Sequence, residues 1–511
     1  MKKTIIDYFE NTVEKFPGKV AVTDQERQIT FKELQIIALN IGADLLKKSI
    51  KNRPVAIYMK QNVKVTAAML GVLYTDNFYV VLDYDSPKER IEKILKTLNP
   101  CAVIYEKEEK ETEDFLEQLK KTRDITPVKY QEKNTICENQ KDKIYEIKKN
   151  MTLETPAYGL FTSGSTGDPK GVLVTHGNVI SYMGWFTECF SIDEKTSFAA
   201  QTPLYFSMSV SDFFGSMFTG ATYNMIPKEY FAFPAKLIGY INEKKANTIY
   251  WVPSAMGIFQ GWDLFKYAKL NHIEKVLFAG EAMTMKYLNY WREHLPNAMY
   301  ANLFGPTETT DICTYYKVDR DFKDTETLPI GGPCDNCQLI IINPDTETEA
   351  KNGEKGELYV KSPFVAKGYY KNPEKTKEAF VQNPLHKNYP DTVYKTGDLV
   401  YLNSHGELEY AGRKDHQIKH MGYRIELGEI ENVLNTASKD IICVCVYNEK
   451  KDQLILVYQA SNNLEGELTS ISSIKLPVYM QPEKYEKVEC LPVNQNGKLD
   501  RKAIKKLVTE N

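Results

Sequence analysis

The sequence predicts an α/β fold, in which a large N-terminal lobe of parallel or mixed sheets flanked by helices precedes a small α+β C-terminal lobe. Short apolar runs such as 55–59 and 79–82 are typical of buried strands, and segments with helical periodicity, such as 62–75 and 87–97, lie between them. Strands that alternate with helices form parallel sheets with helices on both faces. We therefore expect sheets covered on both sides in the first part of the chain.

The length of 511 residues indicates at least two domains, because one hydrophobic core seldom holds so many residues. Residues 406–412 end a hairpin-rich part, and the chain beyond Asp415 has a small α+β pattern of its own. The elements predicted after this boundary are a helix at 427–436 and strands at 441–447 and 452–459. The sequence therefore predicts an N-terminal domain over 1–414 and a C-terminal domain over 415–511.

The composition bears on partners and location. The chain is 42% hydrophobic and 26% charged, as globular proteins are, and its net charge of −3 argues against a nucleic-acid partner. Asp7 and Glu10 interrupt the apolar N-terminal segment, and no stretch has the length of a membrane span. Nine scattered cysteines suit free thiols in a reducing compartment. We expect a cytoplasmic protein without membrane insertion.

Two patterns resemble metal sites but predict none. Cys334 and Cys337 form a single CxxC pattern without a second pair, which favours a turn over a zinc site. His416 and His420 are four residues apart, but the glutamate of a metalloprotease motif is missing. We interpret these histidines as a solvated surface pair.

The segment 162–171, with the sequence TSGSTGDPKG, is the most informative in the chain. Its three glycines and four hydroxyl residues supply N–H and O–H donors, and Lys170 adds a cation, so the loop can surround a chain of phosphates. It is not a Walker loop, because two residues separate Gly167 from Lys170. A surface linker would explain the glycines and hydroxyls alone. The apolar lead-in at 158–161 and the Pro-Lys-Gly exit favour a nucleotide.

Four further signatures follow this loop in order. They are FGPTET at 304–309, YKTGDL at 394–399, GRKDHQIKHMGYRIELGEIE at 412–431 and NQNGKLDRKAI at 494–504. With the loop, they resemble the acyl-adenylate-forming superfamily, and more closely the amino-acid adenylation domains of nonribosomal peptide synthetases and the free-standing D-alanine–carrier protein ligases. The resemblance covers most of the chain and implies a distorted barrel in the large lobe and a mobile C-terminal lobe.

The resemblance implies a nucleotide site in the large lobe. The residues that it places there are Thr162, Ser163, Gly164, Ser165, Thr166, Gly167 and Lys170 at the β- and γ-phosphates, Asn302, Phe304 and Gly305 at the adenine, and Asp398, Tyr410 and Arg413 at the ribose. Thr307 is expected near the α-phosphate, and Glu308 is expected to bind Mg²⁺. The implied cofactors are ATP and Mg²⁺.

Two half-reactions at one site are implied. A carboxylic acid and ATP give an acyl-adenylate and pyrophosphate, and a thiol then takes the acyl group and releases AMP. A carboxylate that attacks a triphosphate meets charge repulsion, so cations must gather at the transition state. The resemblance implies that Lys498 supplies one from the C-terminal lobe. Rotation of that lobe about Asp415 would then withdraw Lys498 and present Lys419 and Gly422 to the thiol.

The thiol belongs either to a carrier protein or to coenzyme A. The long signature at 412–431 and the one at 494–504 are more similar to those of carrier-dependent enzymes. Since the chain ends at Asn511 without a carrier domain, we expect the phosphopantetheinylated carrier to be a separate protein. The alternatives are an acyl- or aryl-coenzyme A synthetase and, outside enzymes, a nucleotide-binding regulatory protein whose site has decayed.

The acid substrate is the least determined part of the prediction. Amino-acid adenylation domains usually have Asp where this chain has Ser207, and that Asp pairs with the substrate's α-ammonium. Either the substrate lacks an α-amino group, or the amine binds elsewhere, with Asp212 and Asp311 as the available acids. Asp311 could hold an amine farther along the substrate, or it could be solvated or serve a backbone N–H.

The rest of the acyl pocket is expected to be small or apolar. The residues that should line it are Met208, Ser211, Ala255, Leu277, Ala279 and Leu303. They suit a compact or modestly hydrophobic acid. D-alanine ligases tend to have Cys where this chain has Ala279, which weakens the assignment of D-alanine itself.

Overall fold

The structure is a computed structural model that describes residues 4–106, 110–133, 135–164, 168–415, 417–435, 441–492 and 499–509. It divides into two compact units. The first unit comprises the residues up to 84 together with 98–160 and 171–414. The second comprises 85–97, 161–170 and the residues from 415 onward.

Helices and strands alternate through most of the described chain. The α-helices are α1 Ile5–Lys15, α2 Phe31–Lys47, α3 Val63–Leu73, α4 Lys88–Leu98, α5 Lys110–Thr122, α6 Glu138–Lys148, α7 His176–Cys189, α8 Ser209–Thr219, α9 Pro234–Glu243, α10 Pro253–Gly261, α11 Met285–His294, α12 Pro373–Ala379, α13 Leu427–Asn435, α14 Glu465–Lys475 and α15 Arg501–Thr509. Short 3₁₀ helices cover Lys228–Ala232, Leu264–Lys266, Thr307–Thr309 and Val478–Met480.

The strands complete the secondary structure. They are β1 Val20–Thr23, β2 Gln28–Thr30, β3 Pro54–Tyr58, β4 Phe78–Val81, β5 Ala102–Tyr105, β6 Thr126–Lys129, β7 Pro156–Thr162, β8 Lys170–Thr175, β9 Ser197–Ala200, β10 Thr222–Met225, β11 Thr248–Trp251, β12 Lys275–Phe278, β13 Met299–Phe304, β14 Thr314–Lys317, β15 Gly332–Pro333, β16 Gln338–Ile342, β17 Gly356–Lys361, β18 Phe380–Gln382, β19 Thr392–Leu402, β20 Leu408–Arg413, β21 Gln417–His420, β22 Tyr423–Glu426, β23 Ile442–Asn448, β24 Gln453–Gln459 and β25 Lys484–Val488.

Two large sheets, as far as the described residues show them, form most of the first unit. One has the strand order β6-β5-β3-β4-β7-β8, and the other has the order β15-β14-β13-β12-β11-β9-β10-β1-β2. The central pairs β3/β4, β3/β5, β11/β12 and β12/β13 are parallel. Strands β3 and β4 are buried along their whole length, as expected for strands with helices on both faces. The predicted α/β fold with parallel sheets is confirmed.

Helices α7 and α8 lie in the core, and most of their side chains are buried. A reciprocal pair of hydrogen bonds between Thr175 and Asn178 starts α7, and Gly220, at φ +88°, ends α8. Tyr182 of α7 and Ser211 of α8 are fully buried, and their hydroxyls are 2.8 Å apart. Because buried hydroxyls need partners, these two helices bring a polar cluster into an otherwise apolar interior.

An antiparallel sheet of strands β16 to β20 completes the first unit. It is the hairpin-rich part expected before residue 412. Its central strand β19 pairs with β20 so that Asp398 lies opposite Arg413. A bridge between Gly331 and Leu408 joins it to the segment that precedes β15. This sheet therefore supplies the hairpin on which three predicted nucleotide residues lie.

The second unit has a core of its own around Ile425, Ile430 and Leu456. Strands β21 and β22 form a hairpin, and β23, β24 and β25 form a second small sheet. Helix α13 and strands β23 and β24 match the predicted elements to within one residue at each end. Helix α15 adds Ile504 to a smaller cluster with Val444.

The structure decides two of the minor predictions. Cys334 and Cys337 do form a turn, in which the Cys337 N–H donates to the Cys334 carbonyl at 3.0 Å. The surface assignment of His420 is wrong, because its ring is buried between Asp452 and Glu483, with nitrogen–oxygen distances of 2.9 and 3.3 Å. His416 lies outside the described residues. Within the described ranges, none of the helices combines the length and apolar character that crossing a bilayer requires.

Candidate active site

The glycine-rich loop begins where β7 ends, at Thr162. The Thr162 hydroxyl is buried and has no hydrogen-bond partner among the described residues. Ser163 and Gly164 are also buried, and Lys170 begins β8. Ser165, Thr166 and Gly167 lie outside the described residues. Within the described chain, the Thr162 hydroxyl is thus a buried donor without a partner. An incoming phosphate oxygen could accept its hydrogen bond.

Within the second unit, Ser163 also contacts the long signature at 412–431. Its hydroxyl donates to the Arg424 carbonyl at 2.7 Å and accepts from the Glu426 N–H at 3.2 Å. Arg424 and Glu426 belong to β22, which pairs with the strand that carries Lys419. The hydroxyl of the loop and the hairpin of the GYRIE sequence are therefore joined by hydrogen bonds to the backbone.

The predicted adenine residues lie on β13 and just after it. Asn302 donates through its amide to the Pro329 carbonyl at 2.8 Å. The Phe304 ring has its centroid 5.7 Å from that of Tyr410, at an angle of 47°. A side chain at Gly305 would lie 2.3 Å from the Asp311 carbonyl, so only glycine fits there. Two aromatic rings and a closely folded backbone can form a platform for a planar base.

Asp398 and Arg413 form a buried ion pair. The Arg413 Nη1 donates to Asp398 Oδ1 at 2.9 Å, and the two side chains are 10% (Arg413) and 5% (Asp398) exposed. Arg413 also donates to the Thr396 carbonyl at 3.1 Å, while the Asp398 N–H donates to the Thr396 hydroxyl at 3.0 Å. These hydrogen bonds hold the buried Asp398 side chain in a fixed orientation. A fixed carboxylate with two oxygens suits recognition of a vicinal diol.

Glu308 is fully buried in the 3₁₀ turn that follows β13, next to the buried Thr307. The Tyr369 hydroxyl donates to its Oε1 at 2.7 Å, and the Ala366 N–H donates to its carbonyl at 2.8 Å. The described residues hold no grouping of three or more metal-binding side chains. Proteins often bind Mg²⁺ through one or two carboxylates together with substrate phosphates. A single fixed carboxylate at Glu308 fits that pattern.

Asp311 is the centre of a buried polar cluster in the expected acyl pocket. Its Oδ2 accepts from the hydroxyls of Ser211 at 2.7 Å, Tyr250 at 3.0 Å and Tyr182 at 3.2 Å. The Ser207 side chain also acts to lower the pKa of this carboxyl. Asp311 is therefore not solvated, and its partners among the described residues are side-chain hydroxyls. Burial raises the pKa of Asp311 to about 6, against the lowering effect of these hydroxyls.

The remaining pocket residues are also buried. These are Met208, Ala255, Leu277, Ala279 and Leu303. Tyr250 lies opposite Leu277 in the parallel pair β11/β12, and Ala279 follows the end of β12. Tyr250, Leu277, Ala279 and Leu303 thus lie near the carboxyl ends of parallel strands, where open α/β sheets bind their ligands. Sequence reasoning missed Tyr182 and Tyr250, because both stand in apolar runs that are typical of ordinary core.

Asp212 is as buried as Asp311 but has a different environment. Neither of its carboxyl oxygens has a hydrogen-bond partner among the described residues. Burial raises its pKa well above the usual range, and the nearby charge of Asp311 adds to the effect. Burial thus disfavours the charged form of Asp212, and the hydroxyl donors that oppose this effect at Asp311 are missing around Asp212 among the described residues.

The C-terminal signatures are described in part. The Asp415 carboxylate accepts from the Gln417 N–H at 3.2 Å, and Lys419 lies on β21. Gly422, at φ +79°, is in the turn before β22. Lys498 lies outside the described residues. Just after it, Arg501 donates two hydrogen bonds to Glu431, at 2.6 and 2.5 Å.

The fold and this site define a class of adenylating proteins. Several solved adenylation domains share the fold. The adenylation domain AlmE of Vibrio cholerae, in complex with glycyl-adenosine-5′-phosphate, matches with a TM-score of 0.83 at 21% identity, covering 100% of this chain and 98% of that one. An adenylation and carrier di-domain from Klebsiella oxytoca, NpsA-ThdA, gives 0.76 at 21% identity, covering 95% and 93%. At this identity the likeness shows the fold.

The chain belongs to the AMP-binding enzyme family, whose model matches residues 9–370. It is 30% identical to gramicidin S synthase 1 of Brevibacillus brevis over 98% of its length, and 28% identical to tyrocidine synthase 1 of Brevibacillus parabrevis over 98%. It spans only 44% and 45% of those proteins. It is also 31% identical to the D-alanine–D-alanyl carrier protein ligase of Listeria innocua, covering 99% of each chain.

These comparisons confirm the predicted class. The resemblance to adenylation domains and carrier protein ligases is shown, and so is the α/β fold with its half-barrel sheet. The protein is an AMP-binding enzyme of the group that contains these ligases, and ATP is the nucleotide that such enzymes use. The roles of individual residues and the boundary between the two domains, at 414/415, stay predictions.

Proposed function

We propose that the protein is an AMP-forming acid–thiol ligase. In the first step, a carboxylate oxygen of a small amino or carboxylic acid attacks the α-phosphorus of ATP, and the bond to pyrophosphate breaks. In the second, a thiol sulfur attacks the acyl carbon, the bond to AMP breaks, and the thiol proton is released. The observation that carries the proposal is the buried Asp398–Arg413 pair, set on one hairpin with Tyr410, whose ring faces Phe304.

Each domain has a part in this proposal. Residues 1–414 bind ATP and the acid, and residues 415–511 contribute Lys498. In the first step Lys498 lies between the carboxylate and the α-phosphate and offsets their repulsion. Two anchors near Lys498 in sequence support this role: Arg501 is held by Glu431, and the Asp500 N–H donates to the Pro492 carbonyl at 2.8 Å. The residues that flank the Lys498 segment are thereby fixed to the C-terminal unit.

Glu308 would hold Mg²⁺. Its buried carboxylate is oriented by Tyr369, and such a carboxylate is a hard oxygen donor suited to this ion. When bound, Mg²⁺ would offset negative charge on the phosphates and orient them for displacement. In this proposal Thr307, which is next to Glu308 and also buried, donates its hydroxyl to the α-phosphate.

The second step requires an open path for a thin thiol arm. Gly422 has no side chain, and its backbone is left-handed in the turn before β22, a conformation that glycine adopts readily. In this proposal, rotation about Asp415 brings Gly422 and Lys419 to the site once Lys498 has withdrawn. Such a rotation would let one site run two reactions that need different surroundings.

We propose a phosphopantetheinylated carrier protein as the thiol donor. The support is the match to D-alanine–D-alanyl carrier protein ligases along 99% of both chains. A coenzyme A acceptor is the second candidate, since an o-succinylbenzoate coenzyme A synthetase of Bacillus subtilis shares the fold with a TM-score of 0.80. A cytoplasmic location, where ATP is abundant, is part of the proposal.

The test is ATP–pyrophosphate exchange with a panel of amino, β-amino, hydroxy and aryl acids, followed by thioester formation with the best acid. We expect exchange with at least one small acid, and transfer to a phosphopantetheinylated carrier in preference to coenzyme A. Preference for coenzyme A would show that coenzyme A, and not a carrier protein, is the thiol that accepts the acyl group. Tight ATP binding without exchange for any acid would contradict the ligase.

A further inference from the structure

Ser207 stands where related adenylation domains usually have the acid that binds an α-ammonium, whereas Asp311 is an acid of the expected acyl pocket. Asp311 is 1% exposed, and the Ser207 side chain acts with the other hydroxyls to lower its pKa. The neutral hydroxyl at 207 and the acid at 311 therefore belong to one cluster. This chain thus has an acid at 311 and none at 207.

The surroundings of Asp311 stabilise an ion without neutralising it. Three hydroxyls donate to the same oxygen, from Tyr182, Ser211 and Tyr250. No lysine, arginine or histidine among the described residues forms an ion pair with Asp311. A buried carboxylate without a counter-ion is costly, and hydroxyl donors offset only part of that cost. A cation that enters with the ligand would supply the rest.

Asp212, on the same helix as Ser211, provides an internal comparison. It is equally buried and has no donors among the described residues, and burial raises its pKa well above the usual range. Asp311 differs from it in having hydroxyl donors from three separate elements: α7, α8 and β11. Placing that many donors on one carboxyl oxygen favours the charged form at this site and not at the neighbouring one.

The acid at 311 does not belong to the segment that carries Ser207. Ser207 lies in the turn before α8, Ser211 lies in the first turn of that helix, and Asp311 follows the 3₁₀ turn Thr307–Thr309. Ser211 of α8 and Tyr250 of β11 hold the Asp311 carboxylate at 2.7 and 3.0 Å. An ammonium bound by Asp311 is therefore held by a different part of the chain from the one that carries the usual α-ammonium partner.

We propose that Asp311 binds the ammonium group of the substrate, and that this group lies beyond the α-carbon, as in a β- or γ-amino acid or an acid with an amine on a short side chain. The inference rests on the proposed function, because it takes the carboxyl end of the substrate to be at the phosphates. Ala279 and Leu303 of the expected pocket are buried and apolar, so they offer an ammonium group no charged partner. Asp311 is therefore the residue that determines specificity for this class of acid.

Matched ligands test the inference on the full chain. Non-hydrolysable acyl-sulfamoyl adenosines with alanyl, β-alanyl, 4-aminobutyryl, propionyl and butyryl groups are titrated by calorimetry, and the five free acids are compared in pyrophosphate exchange. We expect β-alanyl or 4-aminobutyryl to bind about 10- to 100-fold tighter than its amine-free counterpart, as expected for a charged hydrogen bond in a buried site. The alanyl compound should show no such advantage.

Variants then locate the effect. Asp311→Asn should remove the advantage of the amine and leave the affinity for the propionyl compound within about threefold. Asp212→Asn, the matched control, should leave the advantage in place, because Asp212 is equally buried but lacks the hydroxyl donors that hold Asp311. The double variant Ser207→Asp with Asp311→Asn should move the preference from the β-alanyl to the alanyl compound. If Asp311→Asn does not fold, Tyr250→Phe provides a second measurement, because it keeps the acid but removes one hydroxyl donor. The tighter binding of the amine compounds should then persist but require a higher pH.

The outcomes separate this inference from the proposed function. Exchange with neutral acids or α-amino acids only, or an amine advantage that survives Asp311→Asn, would overturn the inference while the ligase stands. Binding of the β-alanyl compound that depends on Asp311, without exchange for any acid, would overturn the ligase while Asp311 remains an ammonium site.

Discussion

Asp398 and Asp311 are both buried carboxylates of the first unit, but the chain treats their charges in opposite ways. Asp398 has the guanidinium of Arg413 at 2.9 Å, so its charge is balanced within the protein. Asp311 has hydroxyl donors and, among the described residues, no ion-pair partner. In the proposed function, Asp398 belongs to the nucleotide end, where the charge is already balanced, and Asp311 belongs to the acyl end, where a cation comes from the substrate. Charge would then be balanced where the ligand is constant and left unbalanced where specificity is determined.

The largest effect is expected at Lys498, which in the proposed function offsets the repulsion between the acid's carboxylate and the α-phosphate. Lys498→Ala should reduce adenylate formation about 100- to 1,000-fold, because a preorganised charge at the transition state is lost. Thioester formation from supplied acyl-adenylate should continue, since the lysine acts in the first step alone. Pyrophosphate exchange near the wild-type rate in this variant would contradict the role of Lys498.

The balanced end can be broken by Asp398→Asn. Removing one partner of a buried ion pair leaves Arg413 uncompensated, and we expect a loss of about 3 kcal/mol in the free energy of unfolding. Urea denaturation measures it. Asp321→Asn is the matched control, because Asp321 pairs with Arg292 at 3.1 Å while fully exposed, and such pairs contribute about 0–1 kcal/mol. Equal losses in both variants would mean that the Asp398–Arg413 pair is not buried as described.

The pH dependence of stability tests the charge of Asp311, at the acyl end. The pKa of Asp311 is about 6 in the folded protein, above its ordinary value. Between about pH 4 and 6 the folded state keeps a proton that the unfolded chain has lost, so stability falls as the pH rises. The wild type should therefore lose on the order of 2 kcal/mol relative to Asp311→Asn across this window.

Unfolding of both proteins by urea at about pH 4, 5, 6 and 7 measures this difference. If the two proteins change in parallel with pH, Asp311 does not titrate in this range.

How much of this could be predicted from the sequence differs between the two ends. The strands at 55–59 and 79–82 and the helix at 427–436 follow from local pattern and were predicted closely. The residues of the nucleotide end were placed through signatures that are contiguous in sequence, and Asp398 and Arg413 do lie opposite each other. Such motifs carry their chemistry locally.

The acyl end could not be derived in this way. Tyr182 and Tyr250 stand 129 and 61 residues from Asp311, in runs that are typical of core, and only the packing of α7 and β11 brings their hydroxyls to one oxygen. His420 was misjudged for the same reason, since its partner Asp452 is 32 residues away. Hydrogen bonds of this kind depend on tertiary structure, which single-sequence patterns do not contain.

A smaller effect is expected from a single hydroxyl of the cluster. Tyr250→Phe removes one donor from Asp311, so the pKa of that carboxyl should rise further and stability should fall by about 1 kcal/mol. Tyr223→Phe is the control, because the Tyr223 hydroxyl is buried without a partner among the described residues. Its loss should not destabilise the protein. A larger loss for Tyr223→Phe than for Tyr250→Phe would contradict the description of the cluster.

Proton release on binding tests the central claim most directly. Calorimetry of β-alanyl- and propionyl-sulfamoyl adenosine at about pH 6, in buffers of different ionisation enthalpy, gives the number of protons exchanged. An ammonium beside Asp311 should lower its pKa from about 6, so the β-alanyl compound should release about half a proton more than the propionyl compound, and Asp311→Asn should abolish the difference. Equal proton release by the two compounds in the wild type would contradict the account.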